Sequence, residues 1–227
     1  MSPNQIPLFE AEKEFFTRMV SFIVTLKYEY LKNDISNDNK FFIKQQISKA
    51  LICCANAFLI YEGSYHTSFN ERKSRFLDLP YFDSVSRYYI EDAFNFKLNP
   101  SYDIDDNIID YYFSARDIFL KQFLHFLNLM YNKNFQSWYH YLNSYFLSPR
   151  MICLRMIHYI RLDKSYYNRI ILNTIQLIVL SGLSNSGKID KLSIKLANKQ
   201  VNRINNYKNN YFIKWSDFRN FILLKRM

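Results

Sequence analysis

Hydrophobic positions recur at helical spacing through the first half of the chain. Between residues 9 and 32 they fall every three or four positions, and the same spacing is clearest over residues 107–131. Residues 41–60 are predicted to form a second helix or a helix that runs into a strand, and the segment ALICCANAFLIYEG at 50–63 is apolar enough to be buried in either case. A further helical pattern over residues 68–80 ends at Pro80, because the residue before a proline avoids helical geometry. The N-terminal half is therefore predicted to be mainly helical.

The pattern changes after Pro149. Apolar, β-branched runs of strand length predict strands, and we assign four of them to residues 151–162, 171–183, 188–200 and 209–215. Helices followed by strands predict an α+β fold in a single domain over residues 1–227. Its first part, residues 1–149, is mainly helical, and residues 150–227 are rich in strands.

Charge is distributed unevenly along the chain. Residues 1–149 contain 15 basic and 17 acidic side chains, whereas residues 150–227 contain 15 basic and 3 acidic ones. The first part is thus near neutral, with a net charge of −2, and the second carries +12. Such a basic segment indicates an anionic partner, which could be nucleic acid, an acidic protein or a phosphorylated ligand, although a solvated basic surface would have the same composition.

Several classes of protein do not fit the composition. Three glycines are too few for the glycine-rich loops of Rossmann and P-loop nucleotide sites. Three cysteines with no C-x₂-C pair predict free thiols in a reducing compartment. No apolar run is long enough to span a membrane, and the first residues lack the pattern of a secretory signal. We therefore expect a cytoplasmic protein with no membrane contact.

Four segments occur in an order that is similar to a known enzyme family. They are FLDLP at 76–80, the long helical pattern at 107–131, LRMIHY at 154–159 and NTIQLIVLSGL at 173–183. Together they resemble the isopenicillin N synthase-like 2-oxoglutarate/Fe(II) dioxygenases. The resemblance implies that the strand-rich part is an incomplete double-stranded β-helix, a jelly-roll-like sheet.

The resemblance also implies a cofactor site. Tyr159 matches the family tyrosine that faces 2-oxoglutarate, and Arg155 lies on the same face of the strand. The alternative is that neither residue contacts a cofactor. Tyr159 would then be a core residue with its hydroxyl at the rim, and Arg155 would pair with a carboxylate. The iron-binding His and Asp of the family fall on Arg169 and Ile171, and no histidine follows His158. No metal site is therefore predicted.

These departures imply a catalytically silent or divergent dioxygenase-like protein that acts as a binding or accessory protein. Fe(II) and 2-oxoglutarate are expected as cofactors only if the resemblance extends to function, and the presence of any oxidoreductase activity stays open.

The alternative function is RNA or DNA binding through the basic, aromatic C-terminal third. Basic side chains bind phosphates and aromatic rings stack on unpaired bases. The candidate residues are Lys191, Lys195, Lys199, Arg203, Lys208, Tyr211 and Trp215. Lysines that are merely solvated would have the same pattern. A helical HEPN-type ribonuclease is the enzymatic version of this alternative, but it needs an R-x₄₋₆-H motif, in which four to six residues separate the arginine from the histidine, and no such pair occurs.

Overall fold

The part of the chain that the structure describes is helical. The structure is a computed structural model, and it describes residues 6–32, 34–151, 153, 164–204 and 212–226. These residues contain no β-strand, and their extended pairing is limited to an isolated antiparallel bridge between Leu183 and Ile189. The predicted α+β fold with a jelly-roll-like sheet is therefore wrong.

The chain forms two compact units, Met1–Lys133 and Asn134–Met227. The helices of the N-terminal unit are α1 (Leu8–Thr25), α2 (Asn37–Tyr61), α3 (Phe69–Leu77), α4 (Ser84–Leu98) and α5 (Ile108–Tyr131), with a 3₁₀ turn at Tyr28–Leu31. The patterns at 68–80 and 107–131 are confirmed as helices, and residues 41–60 are helical throughout. The helix predicted over residues 9–32 ends already at Thr25. Helix α4 was not predicted, because its apolar spacing is interrupted by polar residues.

Aromatic side chains form the core of the N-terminal unit. Helix α2 is buried on every side from Ala50 to Leu59, and the other helices of the unit pack around it. Phe15 of α1 stacks on Phe123 of α5, with ring centroids 4.3 Å apart. The Tyr112 hydroxyl donates a hydrogen bond of 2.9 Å to the carbonyl oxygen of Phe22, so this large polar side chain is satisfied inside the core.

The C-terminal unit is built around one buried helix. Its elements are a short helix α6 (Trp138–Tyr141) that continues into a π-helical turn (Leu142–Phe146), α7 (Lys164–Ser181), α8 (Lys191–Val201) and α9 (Trp215–Arg226). Nearly every residue of α7 from 170 to 180 is buried, and α6, α8 and α9 each pack against α7.

The strand predictions failed where an apolar run is continuous. Residues 171–181 belong to α7, and a helix that is buried all round has no polar face to reveal its period. Residues 191–200 of the third predicted strand belong to α8, whose lysines recur every fourth position. The fourth predicted strand, at 209–215, is described only from residue 212, and this part is not a strand, because α9 begins at Trp215.

Most of the first predicted strand, at residues 151–162, lies outside the described residues. Only Met151 and Cys153 of it are described, and both are helical.

In the described parts of the chain, no helix combines the length and the apolar character needed to cross a bilayer.

Candidate functional site

The net positive charge of the protein belongs to the C-terminal unit. No charged side chain occurs between residues 134 and 149, so the N-terminal unit carries −2 and the C-terminal unit +12. Two of the three carboxylates of the C-terminal unit are described, and both cap helices. Asp190 accepts a hydrogen bond of 2.9 Å from the Ser193 amide at the start of α8, and Asp217 accepts from the Lys214 amide at 3.0 Å. They are therefore already engaged with backbone donors.

Four cations lie at a spacing of four residues along α8 and just beyond it. Lys191, Lys195 and Lys199 are exposed on one side of the helix, and Arg203 is exposed after its end. Residues four apart on a helix are neighbours, about 6 Å apart along the axis at 1.5 Å per residue. We call Lys191, Lys195 and Lys199 the lysine row.

The lysine row has no counter-charge within the part of the chain that the structure describes. None of its three ammonium groups forms a hydrogen bond or an ion pair there. By contrast, Lys40 and Lys44 of the N-terminal unit pair with Asp106 and Asp92. Like charges four residues apart destabilise a helix by about 0.2–0.5 kcal/mol per pair, so an anion that bridges the row would relieve this repulsion.

An apolar groove runs beside the lysine row. It lies between α8 and residues Phe212 and Ile213, and its volume is about 740 Å³. Ile194 and Leu196 of α8 contribute to its lining together with Phe212 and Ile213. The exposed surface of the groove is almost wholly apolar, although the three lysines, Asn198 and Asn202 are also among its lining residues. The groove therefore offers apolar surface and positive charge side by side.

Asn198 holds the second wall of the groove in place. Its amide nitrogen donates to the Phe212 carbonyl at 2.8 Å, and its amide oxygen accepts from the Phe212 amide at 2.9 Å. The Phe212 ring also packs against Phe218 and Phe221 of α9, at centroid distances of 5.4 and 5.2 Å. Phe212 nevertheless remains partly exposed and lines the groove.

The structure brings together part of the predicted nucleic-acid site. Lys191, Lys195 and Lys199 form one row, and Arg203 follows it. Trp215 is only 2 % exposed, so its ring has no face available to a base. Lys208 and Tyr211 lie outside the described residues, as do Arg155 and Tyr159, so the predicted 2-oxoglutarate site stays a prediction.

Phe212 was not among the selected residues. No sequence signal separates it from its aromatic neighbours, because its position depends on the contact with Asn198.

A second cavity, of about 570 Å³, lies in the N-terminal unit beside Lys44, Asp92 and Tyr111. The Tyr111 hydroxyl donates to Asp92 at 2.8 Å, and the Lys44 ammonium lies 3.7 Å from the centre of the Tyr111 ring and pairs with Asp92. Burial, and then the Asp92 carboxylate, raise the pKa of Tyr111 well above its ordinary value. The three groups satisfy one another, which fits a structural role.

Two observations on the described residues bear on metal and acid–base chemistry. No group of three or more His, Cys, Asp or Glu side chains among them is arranged to hold a metal ion. His125 is half-buried against the Phe58 and Tyr81 rings, and burial, followed by the Lys121 charge, lowers its pKa. This histidine therefore packs against aromatic rings of the N-terminal unit.

None of the protein-family profiles, curated proteins or solved structures with which the chain was compared matches it. The resemblance to 2-oxoglutarate/Fe(II) dioxygenases is therefore wrong: no family match supports it, and α7 occupies the place of a sheet strand. Nothing in the structure supports a dioxygenase or oxidoreductase assignment either.

Proposed function

We propose that the C-terminal unit binds nucleic acid through the lysine row of α8. The observation that carries this proposal is the regular spacing of three exposed ammonium groups with no counter-charge among the described residues. A ligand with evenly repeated anionic groups along one edge matches such a row, and nucleic acid has one phosphate per nucleotide. The +12 charge of the unit adds a long-range attraction to the same ligand.

The salt dependence of binding tests the electrostatic part of the proposal. If the lysine row and Arg203 neutralise four phosphates, the logarithm of the binding constant for a single strand falls with the logarithm of salt concentration at a slope of about −2.8. Raising salt from 50 to 200 mM then weakens binding about 50-fold. Fluorescence anisotropy of a labelled 20-nucleotide RNA measures this directly.

Charge reversal tests the location. The triple variant Lys191→Glu, Lys195→Glu, Lys199→Glu removes the row, and we expect it to abolish most of the affinity and to flatten the salt slope. The matched control reverses Lys27, Lys97 and Lys133, which are exposed lysines of the N-terminal unit. Both triple variants lower the net charge from +10 to +4. The control should therefore retain most of the wild-type affinity if the row is the site.

Three results would contradict the proposal. The first is absence of RNA binding at 50 mM salt. The second is an equal loss of RNA affinity in the two triple variants, which would indicate a diffuse effect of net charge. The third is saturable binding of poly-glutamate at least as tight as RNA, which would assign the row to an acidic protein.

A further inference from the structure

An apolar groove lies beside the lysine row. We infer that it takes unpaired strands, with phosphates on the lysine row and bases against the groove wall at Phe212; this inference rests on the proposed nucleic-acid function. The lysine row alone would serve a duplex equally well. The groove, unlike the lysine row, can therefore favour an unpaired strand over a duplex.

A duplex and a single strand present different surfaces to this site. A duplex displays phosphates outward while its bases are stacked on one another, so it can contact the row but leaves the apolar groove filled with water. An unpaired strand presents phosphates along one edge and free base faces on the other. That combination matches a groove whose surface is mainly apolar and whose lining includes the three lysines of the row.

The size and rigidity of the groove fit this ligand. Its volume of about 740 Å³ falls in the range of cavities that enclose ligands of drug size, which is the size class of a base with its sugar. Phe212 is held through its backbone by Asn198 and through its ring by α9. A ring that is already fixed loses little conformational entropy when a base stacks on it.

Phe212 is the aromatic residue on which the selection depends. It is partly exposed in the groove, whereas Trp215, three residues later, is buried. Removal of an aromatic ring that stacks on a base costs about 5- to 150-fold in affinity. The expected loss for Phe212→Ala on an unpaired strand lies in this range.

Three labelled 12-mers separate the contributions of phosphates and bases. They are a single-stranded oligo-dT, a duplex of the same length, and an abasic strand that has the phosphates without the bases. For the wild-type protein we expect the oligo-dT to bind at least 5-fold more tightly than the other two. This comparison needs no variant, so it holds even if a substitution impairs folding.

Variants of Phe212 then locate the effect. Phe212→Ala should remove the preference for oligo-dT while leaving the affinity for the abasic strand unchanged, and Phe212→Tyr, which keeps an aromatic face, should retain the preference. Circular dichroism of each variant checks that α9 is still folded, because Phe212 packs against it.

The outcomes separate this inference from the proposed function. Equal affinity for the three 12-mers, with loss of all binding in the lysine-row triple variant, would overturn strand selection and leave nucleic-acid binding intact. No binding of any 12-mer at 50 mM salt would overturn strand selection, and if the 20-nucleotide RNA also failed to bind, the proposed function would fall with it. An acidic amphipathic peptide that displaces oligo-dT at lower concentration than unlabelled oligo-dT itself would show that the groove is built for a protein segment.

Discussion

Gly182, the residue after α7, lies against the start of α8, and its replacement by alanine is a sharp stability test of the C-terminal unit. A Cβ at this position would lie 2.2 Å from Ser193 Oγ and 2.4 Å from both Ser193 Cβ and Asp190 Oδ2. The carbonyl oxygen of Gly182 also accepts a hydrogen bond of 3.0 Å from the Asp190 amide. The methyl group would therefore push on the residue that caps α8.

The cost has two parts. Forcing an extra methyl group into a packed contact costs about 1–3 kcal/mol, and loss of an N-cap costs about 1 kcal/mol. We expect Gly182→Ala to lower the free energy of unfolding of the C-terminal unit by about 2–4 kcal/mol. With a urea m value of about 2 kcal/mol/M, the midpoint should fall by about 1–2 M.

Tryptophan fluorescence during urea unfolding isolates this unit. The chain has two tryptophans, Trp138 and Trp215, and both belong to the C-terminal unit. Gly63→Ala in the N-terminal unit is the control, because Gly63 has open space around it and a φ of +63°. Its substitution strains the backbone without a clash, and it should leave the tryptophan transition unmoved.

A second substitution tests whether the clash is the cause. Ser193→Gly removes two of the three close atoms, and the double variant Gly182→Ala, Ser193→Gly should regain at least about 1 kcal/mol relative to the sum of the single effects. A loss below about 0.5 kcal/mol for Gly182→Ala, or strict additivity of the two substitutions, would refute the close-approach argument.

Two further predictions concern the N-terminal unit and the thiols. Asp83 caps α4 by accepting from the Ser86 amide at 2.7 Å and pairs with Lys121, and the Lys121 hydrogen bond, followed by the Ser86 amide, lowers its pKa to about 2. Because this folded pKa lies below the ordinary 3.8, the contribution of the carboxylate is complete above about pH 4 and is lost as pH falls towards 2. Melting curves from pH 2 to 7 should show the loss of this carboxylate's contribution in the wild type but not in Asp83→Asn, which keeps the cap. At neutral pH, Asp83→Ala should lower the free energy of unfolding by about 1 kcal/mol more than Asp83→Asn does. For the thiols, an aromatic disulfide reagent should titrate one cysteine in the folded protein and all three after unfolding, because Cys153 is exposed whereas burial raises the pKa of Cys53 and Cys54. Rapid reaction of three thiols in the native protein would contradict the buried positions.

The sequence predicted helices well where one face is polar. Helices α1 and α5 pack one side against the N-terminal core, so their apolar residues recur at a helical period that is visible without a structure. Helix α7 is buried on almost every side, and its period is hidden. The residues between 171 and 181 therefore have the composition of a buried strand and the structure of a buried helix.

The candidate site shows the same division. The lysines of α8 could be selected from charge alone, since a basic segment with few carboxylates is a property of the chain order. Phe212, the aromatic residue that lies next to these lysines, could not be selected in this way. Trp215 and Phe212 are neighbours in sequence, and only the start of α9 and the two hydrogen bonds from Asn198 decide that Trp215 is buried and Phe212 lines the groove.

The amino-acid sequence by itself determined the segregation of charge and the helices whose period faces water, because both are properties of residue order along the chain. Only the tertiary structure decided that the continuous apolar segment is the central helix of the C-terminal unit, and which aromatic ring lies next to the lysine row. The physical reason is that burial on all sides, and contacts between residues distant along the chain, arise from packing and leave no periodic trace in the sequence.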